Sequence, residues 1–168
     1  CAATATATVN PPPLPIAGGS QLCVNNSMIL LEVSPGGIWT GSNTNIAVSG
    51  SMVTGNAAGT VYVSYTLPTG CSAQKMIVVN PLPDTIRGTM EVCAGATTAL
   101  TDVTPSGLWS SVGSSVSVSG GIVTGINTGT ATVVYTLLTT GCQAMTTVTV
   151  YPVPATISGP AGICMNST

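Results

Sequence analysis

The stretch GTVYVSYTL, residues 59–67, sets Val61, Val63, Tyr65 and Leu67 on one side of an extended chain and Thr60, Tyr62, Ser64 and Thr66 on the other. That period of two belongs to a strand with one buried face. The layout returns in GTATVVYTL, residues 129–137, with Ala131, Val133, Tyr135 and Leu137 on the apolar side. Such alternation suits an antiparallel sheet that packs on one face. The strand that follows the second copy carries Cys142, Ala144, Thr146, Val148 and Val150 on its inner side. Lys75 occupies the position of Thr146, and either a bulge or a lysine reaching past the sheet edge would accommodate it.

The recurrence extends over the whole chain. Cys23, Cys93 and Cys164 are 70 and 71 residues apart, and so are Cys1, Cys71 and Cys142. Trp39 and Trp109 differ by 70, as do Val53-Thr54-Gly55 and Val123-Thr124-Gly125, and Tyr65 and Tyr135. The one extra residue enters between Tyr135 and Cys142, so it belongs to a loop. A fixed period of this kind marks tandem structural units. Two modules are expected at 11–80 and 81–151. Residues 1–10 are read as the last strand of an incomplete module, and 152–168 as the opening strand of another.

Composition narrows the functions available. Among 168 residues only Lys75, Arg87, Glu32, Asp84, Glu91 and Asp102 are charged, the net charge is -2, and histidine and phenylalanine are absent. Two basic residues make no phosphate-neutralising surface, so nucleic acid is not expected as a partner. No apolar run approaches the roughly 18 residues of a membrane span. Without histidine, and with four scattered acids, no acid–base pair or triad has obvious members, so no enzyme is expected. No cofactor is implied. The cysteines have no metal-like spacing, and Asp84 is the only acid at a module junction, which leaves zinc and calcium unsupported.

Glycine and asparagine clusters such as SPGG, GNAAG and INTG punctuate the apolar runs as turns. Seven or so short strands in about 70 residues imply a small two-sheet sandwich. Trp39 and Trp109 stand sixteen residues after the first cysteine of each module. Each is expected at the centre of the core, with its N–H on a carbonyl; a sugar-binding role is the alternative. The junctions VNPPPLPIAGG, VNPLPDTIRG and VYPVPATISG are proline-dense, which predicts semi-rigid links and blunted strand edges.

The order VCAG, TTAL, GLWSS, GGIVTG, GTATVVYTL, GC, VTVYPVP resembles the bacterial immunoglobulin-like tandem repeats of large surface and adhesin proteins, in the cysteine-bearing version of Bacteroidota. The resemblance covers essentially the whole chain. It implies an all-β fold of tandem immunoglobulin-like β-sandwich modules and an extracellular, cell-surface setting. Stalks, adhesins and filament subunits all use such modules, so the ligand is left open.

Six cysteines in that setting point to disulfides. Pairing inside each module, Cys23 with Cys71 and Cys93 with Cys142, is the leading expectation, with Cys1 and Cys164 left for partners on other subunits. A second scheme joins cysteines across each proline junction. A third links the far end of one module to the near end of the next, as Cys23 to Cys142. It has a topological argument: in an immunoglobulin sandwich the turns that hold the two cysteines of one module lie at opposite ends, beyond the roughly 7 Å of Cα separation that a bridge permits. Asp84-Thr85-Ile86 resembles the O-glycosylation acceptor pattern of Bacteroidota, which makes Thr85 a glycan candidate beside the plain linker reading. Asn25-Asn26-Ser27 and Asn166-Ser167-Thr168 match the N-linked sequon.

The expected function is that of a structural subunit of an extracellular filament or surface fibre. Its partners are other copies of itself, which complete the partial terminal modules by strand addition. The stalk or binding module of an adhesin that recognises glycan or protein is the alternative.

Overall fold

A computed structural model describes residues 3–159; Cys1, Cys164 and the sequon at Asn166 lie outside them. All regular elements among the described residues are strands. The first repeat contains β1 (Gln21–Cys23), β2 (Ser27–Ile29), β3 (Ile38–Gly41), β4 (Ile46–Ser49), β5 (Met52–Gly55), β6 (Gly59–Thr66) and β7 (Ser72–Asn80). The second contains β8 (Arg87–Gly88), β9 (Glu91–Cys93), β10 (Thr97–Thr101), β11 (Gly107–Val112), β12 (Val116–Ser119), β13 (Ile122–Gly125), β14 (Gly129–Leu137) and β15 (Gln143–Tyr151).

Each repeat builds two sheets. One runs β1-β7-β6-β3 in the first repeat and β9-β15-β14-β11 in the second; the other runs β2-β5-β4 and β8-β10-β13-β12. In the first repeat the counterpart of β8 is reduced to a single bridge between Ala17 and Leu31. That bridge and the Arg87–Thr101 pair of β8 and β10 lie one period apart. Apolar side chains of both sheets meet in the first repeat: Leu30, Ile46 and Val53 from one side pack with Leu22, Val61, Val63, Tyr65, Ile77 and Val79 from the other. This is an all-β fold of tandem immunoglobulin-like sandwiches.

The alternation in 59–67 becomes burial directly. Val61 and Val63 are fully buried and Tyr65 nearly so, while Tyr62 faces out; Ala131, Val133, Tyr135 and Leu137 repeat the buried set. β6 and β7 pair antiparallel without interruption from Gly59–Val79 to Thr66–Ser72, which puts Lys75 opposite Val63 with no bulge. The Lys75 Nζ donates to the Ile16 carbonyl oxygen at 3.4 Å.

One pairing departs from the antiparallel expectation. β1 runs parallel to β7, Gln21 with Val78 through Cys23 with Asn80, and β9 runs parallel to β15, Glu91 with Thr149 through Cys93 with Tyr151. The opening segment therefore changes sheets: it first pairs with the strand before the tryptophan, then crosses to the last strand. Gly18 and Gly88, with φ of 117° and 130°, stand at the crossing. A Cβ at Gly88 would lie 2.3 Å from the Ala99 carbonyl oxygen, so only glycine fits there.

The chain separates into two compact units. Among the described residues, one holds 3–83 together with Leu137–Gln143; the other holds Asp84–Thr136 and 144–159. The hairpin tip between β14 and β15 is thus part of the first unit. Residues 3–10 and 152–159 are exposed and carry no strand.

Candidate functional site

Two of the acidic side chains, Glu32 and Asp102, are engaged in a structural corner that both repeats reproduce. Glu32 accepts the Ser34 N–H at 2.7 Å and the Ser34 hydroxyl at 2.6 Å; Asp102 accepts the Thr104 N–H at 2.8 Å. The two hydroxyls hold the incoming linker, since Ser34 Oγ accepts the Leu14 N–H at 3.3 Å and Thr104 Oγ1 the Asp84 N–H at 2.8 Å. Tyr65 then donates its hydroxyl to the Ser34 carbonyl and accepts the Gly37 N–H, and Tyr135 does the same with Thr104 and Gly107. Gly37 and Gly107 lie flat on the tyrosine rings; a Cβ would come within 2.4 Å and 2.1 Å of ring carbons. Two of the four acids are in this way committed to shaping a turn and docking the junction. Asp102 Oδ2 remains buried without a hydrogen-bond partner.

Trp39 and Trp109 sit beside these tyrosines, with ring centroids 4.9 Å apart in both repeats. They are half-buried and not central. Leu30, Val53, Val61, Val63 and Ile77 fill the centre of the first core, and Trp39 packs against its flank. Among the described residues no carbonyl accepts either indole N–H, so the central position expected for these rings is corrected to a lateral one.

The cysteines are of two kinds. Cys23 and Cys93 end β1 and β9; Cys71 and Cys142 stand immediately before β7 and β15. The structure joins Cys23 to Cys142, with Cα atoms 5.6 Å apart at a sequence separation of 119, and leaves Cys71 and Cys93 as free thiols. The pairs within one module, Cys23–Cys71 and Cys93–Cys142, are not formed. The parallel pairing explains why. Cys23 is the register partner of Asn80, nine residues along β7 from Cys71. At about 3.3 Å per residue that is a separation of roughly 30 Å, several times the reach of a disulfide. Cys93 opposite Tyr151 stands in the same relation to Cys142.

Thr85 is exposed just before β8, with its N–H on Asp84 Oδ1 at 2.6 Å and the neighbouring Ile86 buried as an anchor. Asn25 is also exposed, at φ 66° in the turn after β1. Among the described residues no three His, Cys, Asp or Glu are grouped to hold a metal ion. No helix among them is long and apolar enough to cross a membrane.

The acids' role in the corner was the main feature that sequence reasoning missed. Its signal was present as the matched pairs Glu32/Asp102, Ser34/Thr104 and Gly37/Gly107, each one period apart.

No protein-family model matches the chain. No curated protein matches it either. Among solved structures it is similar to domains 4 and 5 of the S-layer protein SbsC, at 20% identity over 73% of this chain and 80% of that one, with a TM-score of 0.30. It is also similar to the insect immune protein hemolin, at 13% identity over 84% of this chain and 47% of that one, TM-score 0.36. A third similar structure is the SGBP-B protein of the Bacteroides ovatus mixed-linkage glucan utilization locus, at 16% identity over 78% of this chain and 42% of that one, TM-score 0.28. The chain thus spans less than half of the last two, and at these scores the likeness carries no functional argument.

Proposed function

We propose that this chain is a structural unit of an extracellular bacterial fibre, assembled from copies of itself. The observation that carries the reading is a surface with few charges and the same apolar positions exposed in both repeats. Val33 and Val103 are 77% and 71% exposed, Ile38 and Leu108 69% and 61%, and Met52 and Ile122 45% and 49%. Only six charged residues are available to keep that surface in water. Burial against neighbouring copies, or attached glycan, supplies the missing cover. Thr85, exposed beside Asp84, is the O-glycan site of this reading. The segments 3–10 and 152–159, exposed and without strand partners of their own, are offered to the sheet edges of neighbouring copies. A disulfide supports an oxidising, extracellular compartment. The polar side chains act in turns and junctions, a framework role and not a catalytic one.

Negative-stain electron microscopy of the purified protein across a concentration series tests this. Filaments with regularly repeating subunit contacts are expected. Monomers at every concentration would contradict the reading, and monomers that bind a glycan array would assign the chain to an adhesin.

A further inference from the structure

The two free cysteines are the complementary halves of a joint the chain has already made once. Cys93 is the counterpart of Cys23 and Cys71 the counterpart of Cys142, each displaced by one period. The bonded pair therefore links the end of the short parallel strand in one repeat to the turn before the last strand in the next. Cys93 and Cys71 remain free thiols, a strand end and a turn of the same two kinds.

Both halves are preformed. At Cys93 an open groove of about 470 Å³ is lined by Thr89, Glu91, Cys93, Thr97, Thr98 and Tyr151, all within the second unit. Cys93 itself is exposed. At the corresponding place in the first unit, Leu137–Gln143 is incorporated and its Cys142 is 1% exposed. The turn at Cys71 is closed by the same two kinds of hydrogen bond as the bonded turn, one residue shorter. Leu67 N–H donates to the Cys71 carbonyl at 2.9 Å, as Leu137 does to Cys142 at 2.9 Å. Gly70 and Gly141 donate back to Leu67 and Leu137 at 2.9 Å and 2.8 Å, with φ of 86° and 72°. The extra residue in the second turn enlarges both hydrogen-bonded rings by one residue while keeping their donors and acceptors equivalent.

We propose that the groove at Cys93 receives the 67–72 turn of a second copy of this chain, and that the two close as a Cys93–Cys71 disulfide repeating the Cys23–Cys142 joint from molecule to molecule. Closure consumes a disulfide oxidant, such as oxidised glutathione or the disulfide of an oxidoreductase. The Cys93 thiolate attacks it, forms a mixed disulfide and releases one thiol. The Cys71 thiolate of the second copy then attacks the Cys93 sulfur and releases the other. The two protons and two electrons of the protein thiols end on the two reduced thiols of the oxidant. The inference rests on the reading of the chain as self-assembling, and makes that assembly directional and redox-locked.

The test uses Cys71→Ser and Cys93→Ser variants of the full chain, each with Cys1 and Cys164 replaced by serine, treated with oxidised glutathione and analysed by non-reducing mass spectrometry. Each variant alone is expected to stay monomeric, and an equal mixture to give a dimer whose linked peptides are Cys71 and Cys93, at least tenfold over homotypic pairs. Homotypic dimers in comparable yield, or no dimer in the mixture, would overturn the inference. Microscopy of the unsubstituted chain, reduced and oxidised, keeps the two readings apart. Filaments without cross-linking in the mixture leave the fibre standing and remove the disulfide joint, whereas the heterotypic dimer without filaments removes the fibre alone.

Discussion

Tyr135 donates its hydroxyl to the Thr104 carbonyl and accepts the Gly107 N–H, so removing one oxygen orphans two backbone groups. Tyr135→Phe is expected to destabilise the protein by about 1–3 kcal/mol in urea denaturation, because unsatisfied partners keep their desolvation cost. A loss under about 0.5 kcal/mol would mean that water replaces the hydroxyl. Next to it, Ser106 holds a left-handed φ of 65°, where the first repeat places Gly36 at 82°. Ser106→Gly should stabilise the second repeat by about 0.5–1 kcal/mol, since the steric penalty removed exceeds the entropy that glycine adds to the unfolded chain. Thermal melts of the two chains read this difference. At this scale the tyrosines were legible, because a large residue recurring on an apolar face has few alternatives. The hub residues Ser34 and Thr104 were not, as their partners stand 20 and 31 positions away and hydroxyl residues abound in this chain.

Among the elements, the long strands could be read from alternation because burial on one face imposes it on every second residue. The parallel pairing of β1 with β7 and β9 with β15 could not, because three-residue strands carry too short a pattern and their neighbour is decided by the path of the chain. Gly88 marks that path. Gly88→Ala sets a Cβ against the Ala99 carbonyl oxygen at a backbone angle that alanine rarely adopts. It should break the β8–β10 pair and cost about 1–3 kcal/mol. Hydrogen exchange then distinguishes local from general damage. Faster exchange near Leu100 and Thr101, with Val133 and Val148 still protected, is the expected pattern. Lys75 shows the opposite lesson: a charged residue in an apolar register is compatible with an unbroken ladder when its stem is long enough to reach a backbone carbonyl.

For the molecule as a whole, the period of 70 residues predicts two modules, while the pairing of the cysteines needed the strand order. The topological objection to bonds within one module carried the right physics, and the parallel strand supplies its distance. Closing a loop of 119 residues removes much unfolded-state freedom. Cys142→Ser should therefore lower stability by about 2–5 kcal/mol, seen as a reduced denaturation midpoint that matches wild type measured under reducing conditions. The most direct test of the account is a peptide map of the purified monomer, digested without reduction and with free thiols blocked. It is predicted to contain one peptide pair joining Cys23 to Cys142, with Cys71 and Cys93 recovered as blocked thiols. Recovery of Cys23 linked to Cys71, or of Cys93 linked to Cys142, would contradict it.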